Sequence, residues 1–261
     1  MLAYSFMQNA FIAAFLVSIA CGVIGTLTVI NRMSFIAGGV AHASYGGIGI
    51  AVLCGFSVTL GASVFAILCG VLVGYLSLSK KERSDSIIGA IWAFGMAVGI
   101  LCLDLAKGYR GDLMGYLFGS ILAVGADDIW FMVACDAAIL LFVTLFYNQI
   151  CAVCFDAQFA SLRGINSNLI YIILVAFIAL CVVVTMQVVG LILVIALLTI
   201  PPFIAEKFSQ NLRLMMFFSS LISFVCIVAG LLLSYFFDLT TGASVILLLT
   251  LIFFLTTLLK R

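Results

Sequence analysis

His42 is the only histidine in the 261-residue chain, and from Phe35 to Val52 it has no charged residue near it in sequence. A histidine in so apolar a run marks an ion pathway, a proton relay or a ligand site, or else it is a satisfied polar contact between helices. Its neighbours Gly38, Gly39, Gly46, Gly47 and Gly49 leave backbone bare and make a helix easy to break. Unwound backbone of this kind can offer carbonyl oxygens to an ion. Ser44 and Tyr45 add side-chain oxygens, which either face the same ion or bond to the preceding turn.

Other candidate groups are few. Asp136 lies alone in an apolar stretch, where it serves a function or pairs with a neighbouring helix. Of nine cysteines, seven stand singly among apolar residues and read as small packing groups; only Cys151 and Cys154 form a C-x-x-C, and that one pair is a weak signal for redox or zinc chemistry. In FDAQFASLRGIN, residues 155–166, Asp156, Ala160 and Gly164 recur every fourth residue. On a helix they would share one face, suited to docking in a groove of another protein; the alternative is a solvated connector. Pro201 and Pro202 remove two backbone donors, so they either free carbonyls that need other partners or simply end a helix before Glu206. No phosphate-binding loop, nucleophile elbow, H-E-x-x-H or paired-carboxylate cluster is present, so the chain shows no catalytic site of its own. Uphill transport by such a chain would draw on a partner or an ion gradient.

The elements that must position these groups follow from composition. With 66% apolar and 8% charged residues and a mean hydropathy of +1.41, the chain cannot cover a soluble globule and reads as an all-α polytopic membrane protein. Net charge is +1 and no basic cluster occurs, so nothing points to nucleic acid. The first apolar run lacks a basic leader and reads as a span rather than a signal peptide. Apolar runs predict spans near 7–30, 35–54, 57–78, 86–106, 129–149, 169–186, 188–205, 213–235 and 243–259, eight to nine in all. Residues 169–205 as one helix would be ~55 Å long, so a break near Gln187 and Gly190 is required.

Placing the N-terminus outside and the C-terminus in the cytoplasm puts nine Lys and Arg inside and only Lys107 and Arg110 outside. It also leaves Asp104, Asp112, Asp127, Asp128 and Asp238 near the outer face, where a cation would arrive. Residues 108–126 fit neither loop nor span, and their 12-residue apolar part predicts a re-entrant or buried half-helix. Gly111, Gly115 and Gly119 there, like Gly70 with Gly74 and Gly95 with Gly99, predict close helix packing.

NRMSFIAGGVAHAS, DSIIGAIWAFGMAVGI, GDLMGYLFGSILAV, FDAQFASLRGIN, VVGLILVIALLTIPPFIAEKF and DLTTGASVIL, in this order, resemble the membrane permease subunits of the ABC importers for zinc, manganese and iron. The resemblance runs through nearly the whole chain. It implies a single permease domain over residues 1–261 in the bacterial inner membrane, acting as a homodimer with two cytoplasmic ATPase subunits and an extracytoplasmic metal-binding protein. ATP hydrolysis would belong to the separate subunit, and no cofactor would be tightly bound; the divalent metal is cargo. By the same resemblance His42 is a metal contact within the membrane. Ala160 and Gly164 match the A-x-x-x-G of the coupling helix in a cytoplasmic loop at about 151–168, with Asp156 and Arg163 beside them. Asp238, Asp104, Asp127 and Asp128 would draw the ion to the outer face. The family usually has an aspartate where this chain has Gly38; the missing carboxylate disfavours a hard cation and favours zinc. Two alternatives are a proton-coupled secondary metal transporter, using His42 and Asp136, and an ABC permease for a metal chelate or cobalamin.

Overall fold

The computed structural model describes residues 5–79, 83–106, 119 and 121–259. Its helices are α1 (Ser5–Ile30), α2 (Ser34–Ala43), α3 (Tyr45–Cys54), α4 (Val58–Ser79), α5 (Ser84–Leu105), α6 (Ala126–Leu145), α7 (Tyr147–Phe155), α8 (Ala157–Leu162), α9 (Ser167–Val189), α10 (Leu191–Glu206), α11 (Leu212–Phe237) and α12 (Thr241–Leu259). Among the described residues there is no strand. Among the described residues eight stretches are long and apolar enough to cross a membrane, with α2 and α3 together making one of them. The sixteen-residue α10 is the shorter, ninth apolar helix of the predicted eight to nine. At 1.5 Å per residue it reaches roughly 24 Å, less than the hydrocarbon thickness.

The predicted break in residues 169–205 falls at Gly190, whose φ of +84° a side chain would resist. α10 then runs through both prolines to Glu206, so the pair does not end the helix. Pro202 takes the N–H that would have bonded to the Leu198 carbonyl, and α1 brings the bare backbone of Gly25 against that oxygen. A Cβ on Gly25 would stand 2.8 Å from it.

The chain forms two compact units. The first comprises residues 1–30, 113–141 and 184–261. In it α11 packs on α1, α10 and α12, with Gly22 against Ser220 and Gly230 against Val245. Gly119, at φ +62°, lies against the backbone of Val189 and Gly190, so the predicted close approach is real there. Gly111 and Gly115, with most of the predicted half-helix at 108–126, lie outside the described residues; the part described has one 3₁₀ turn, Ile121–Ala123.

The second unit comprises residues 31–112 and 142–183. Here α2 and α3 lie against α4 and α5 at backbone contact. Gly47 meets the Gly61 carbonyl, Gly49 meets Gly99, and a Cβ on Gly95 would stand 2.6 Å from the Ala43 Cα. Gly70 and Gly74 receive Ala179 and Val175 of α9. The glycines around His42 therefore do not unwind the helix, as the sequence suggested. Only Ser44 interrupts it, with φ −57° and ψ −20°, and the surrounding residues stay helical because glycine is used to bring helices together.

Candidate metal contact and coupling segment

His42 is in the last turn of α2, half-buried. Its Nδ1 lies 2.9 Å from the Gly38 carbonyl oxygen. A carbonyl only accepts, so Nδ1 carries the proton and Nε2 keeps its lone pair for a Lewis acid. The imidazole stacks on Trp92 of α5, with ring centroids 4.1 Å apart and planes 28° apart. Trp92 Nε1–H in turn donates to Met96 Sδ at 3.1 Å, and Phe35 lies beside the indole at 6.5 Å. Trp92 is the functional neighbour that sequence reasoning missed; the one sign of it is that Ile88, Trp92, Gly95, Met96 and Gly99 share one face of α5. Ser44 Oγ donates to the Ala41 carbonyl at 2.6 Å, so of its two alternatives the preceding turn is realised.

The predicted carboxylates stand on different elements. Asp104 is exposed near the end of α5, Asp127 is exposed in the first turn of α6, and Asp128 beside it accepts from Gly125 N–H at 3.0 Å. Acids in a first turn complement the helix dipole, a structural task. Asp238 ends α11 at φ +52° and, with Phe6, Met7, Leu231, Ser234, Tyr235 and Leu239, borders a cavity of about 640 Å³. Among the described residues no group of three or more His, Cys, Asp or Glu side chains stands together as a metal site, so no preformed multi-ligand cage surrounds His42 there. Asp136 is 4% exposed, and neither of its oxygens has a hydrogen-bond partner among the described residues. Cys154 accepts from Asn31 Nδ2 at 3.1 Å, and burial pushes its thiol up, which makes it a poor nucleophile and fits a packing role.

The segment with A-x-x-x-G is a six-residue helix, α8. Asp156 is its N-cap: Oδ1 accepts from the N–H of Gln158 and of Phe159, each at 2.9 Å. At the other end Gly164 N–H bonds to the Ser161 carbonyl and Ile165 N–H to that of Ala160. This is a Schellman ending, and Gly164 has the φ of +82° that it requires. The single face predicted for Asp156, Ala160 and Gly164 is thus not formed, because the first and last lie beyond the helix ends and hold it closed. Ala160 is 1% exposed and points inward, while Phe155, Phe159 and Leu162 are 89%, 52% and 87% exposed. Arg163 lies over the Phe159 ring at 5.0 Å, and Ser167 Oγ ties back to the Ala157 carbonyl at 2.8 Å. Replacing Asp156 with Ala is expected to loosen α8 by about 1 kcal/mol while Asn keeps it; faster amide exchange at Gln158 and Phe159 in the Ala variant alone is the check.

Fold and site together define a multi-pass helical membrane protein with a short, apolar-faced helix outside its spans. The chain belongs to the ABC 3 transport family, whose model matches residues 3–260. It is 47% identical over 240 residues to an uncharacterised membrane protein of Synechocystis, covering 92% of this chain and 85% of that one. It is 32% identical over 241 residues to the manganese transport system membrane protein MntC of Halalkalibacterium halodurans, covering 92% and 82%. Among solved structures it matches PsaBC from Streptococcus pneumoniae, in complex with Fab, with a TM-score of 0.87 and 31% identity over 97% of this chain and 91% of that one. The chain is a multi-pass permease of the bacterial cell membrane.

Proposed function

We propose that this chain is the membrane subunit of an ATP-driven importer of divalent transition-metal ions. The observation that carries this is its relation, over nine-tenths of its length, to a protein named for manganese transport. His42 supplies a place for the ion, since its free Nε2 is a ligand for borderline metals. The whole chain acts as one permease domain, in a homodimer that binds two cytoplasmic ATPase subunits and receives metal from an extracytoplasmic binding protein. Asp238, Asp104, Asp127 and Asp128 attract the ion at the outer face, and it pauses at His42. An incomplete ligand set suits this, because a transported ion must also leave. Closure of the ATPase dimer moves α8 and reorients the helices.

As to the metal, the relative's name points to manganese, while the neutral imidazole of His42, with Gly38 where the resembled family usually has an aspartate, favours zinc. Competition between the two ions for uptake, in cells that have this importer as their only route, decides between them. In the same cells His42→Ala is expected to lower uptake by more than an order of magnitude with the protein still in the membrane; undiminished uptake refutes the metal contact. Failure of an ATPase subunit to co-purify would favour a proton-driven transporter instead.

A further inference from the structure

We propose that Trp92 is the positioning residue that holds the His42 imidazole with Nε2 presented to the passing metal, and that Met96 fixes Trp92 in turn. This rests on the reading of His42 as the metal contact. The bond from Nδ1 to the Gly38 carbonyl sets the tautomer, but one hydrogen bond leaves the ring free to swing about it. The Trp92 stack at 4.1 Å and 28° removes that freedom by fixing the plane. The indole cannot turn away without losing its own bond from Nε1 to Met96 Sδ, and Phe35 stands beside it. Trp92 and Met96 are one turn apart on α5, so a single helix face carries the support.

The placement of that face is itself set by backbone contact. Gly39 of α2 lies against Ile88, and Gly95 lies against Ala43, one residue after His42. The two flanking contacts fix how α2 and α5 slide past one another, and so bring indole and imidazole face to face. A metal bonds a ring nitrogen in the plane of the imidazole. An aromatic ring over the face leaves that approach open and keeps other ligands and water from the covered side. Chemically the arrangement replaces the hydrogen-bonded supports that usually orient a metal-binding histidine with one backbone carbonyl and one aromatic plane.

The test is uptake by the assembled importer in proteoliposomes, with zinc chloride and manganese chloride as probes. Trp92→Ala is expected to raise the half-saturating metal concentration about 10- to 100-fold, as loss of a supporting group around a metal ligand does, with the maximal rate little changed. Trp92→Phe, which keeps a stacking face, should restore most of the affinity. Met96→Leu keeps the bulk and removes the sulfur acceptor, and should give a smaller shift in the same direction. In the His42→Ala background, Trp92→Ala should add nothing. An unchanged half-saturating concentration in Trp92→Ala, beside a large loss in His42→Ala, overturns the positioning role alone. Wild-type affinity in His42→Ala overturns the metal contact on which it rests. Should Trp92→Ala fail to reach the membrane, Trp92→Leu, which keeps bulk but removes the stacking face, and Met96→Leu carry the test, and wild-type half-saturating concentrations in both overturn the proposal.

Discussion

Replacing Gly47 with leucine is expected to leave little or no folded permease in the membrane, whereas Gly89→Ala on α5 should be tolerated. At Gly47 the obstacle is the main chain of α4: a Cβ there collides with the Gly61 carbonyl, and with Phe65 Cβ at 2.6 Å. A carbonyl in a helix cannot rotate aside, so α3 and α4 must separate along their length. Overpacking of side chains alone costs about 1–3 kcal/mol, and a clash with fixed backbone belongs at or above the top of that range. The contact is also reciprocal, because a Cβ on Gly61 would stand 2.6 Å from the Gly47 carbonyl oxygen. Separating the helices there opens a gap on both sides. Gly89 has nothing within 4 Å of its would-be Cβ, and alanine in place of a helical glycine favours the helix by about 1 kcal/mol. Membrane-extracted amount and thermal midpoint, measured for both variants, should therefore move in opposite directions. A normal yield of Gly47→Leu would mean that α3 and α4 do not meet at backbone distance.

The course of the chain was legible because membrane spans are set by length and apolarity, both of which are local. Helix ends at Ile30, Leu105 and Phe237 fall within two residues of the predicted ends, and the Gly190 break was forced by the length of residues 169–205. What a glycine is for was not legible. Small residues at four-residue spacing say that something comes close, and only the paired helices reveal that Gly49 meets Gly99 rather than an ion. The same limit hid the Trp92 stack, since nothing in α2 or α5 taken singly fixes how the two slide against one another. At residues 156–164 the error was of another kind. A four-residue spacing predicts a helix face, but aspartate before a helix and glycine after one are also the usual ending signals, and here they act as such. Six residues between the caps leave fewer than two turns.

Turning Leu162 into aspartate is expected to strip the ATPase subunits from the complex without harming the fold of the permease. Leu162 is 87% exposed, so it contributes little to internal packing, and a charge there meets only water in the free chain. Phe155 and Phe159 are exposed beside it, and three large apolar side chains on a short connector outside the spans need a cover. A partner groove that takes them would have to bury the introduced carboxylate without a counter-charge. The few residues that dominate an interface cost about 2 kcal/mol or more each when truncated, roughly a 30-fold loss of affinity, and an unpaired buried charge adds to the cost. Phe159→Ala should give a smaller loss, since it removes apolar contact without introducing a charge, even though it also takes away the ring under the Arg163 guanidinium. Ala160→Leu should act by a different route, because its methyl is buried within the permease and a larger side chain would shift α8 itself. Co-purification with the ATPase, and metal-stimulated ATP hydrolysis by the reconstituted complex, separate the two routes. Leu162→Asp should lose the partner while the permease keeps its thermal midpoint; Ala160→Leu should lower the midpoint as well. A complex that survives Leu162→Asp intact, with full metal-stimulated hydrolysis, would show that the ATPase grips the chain elsewhere.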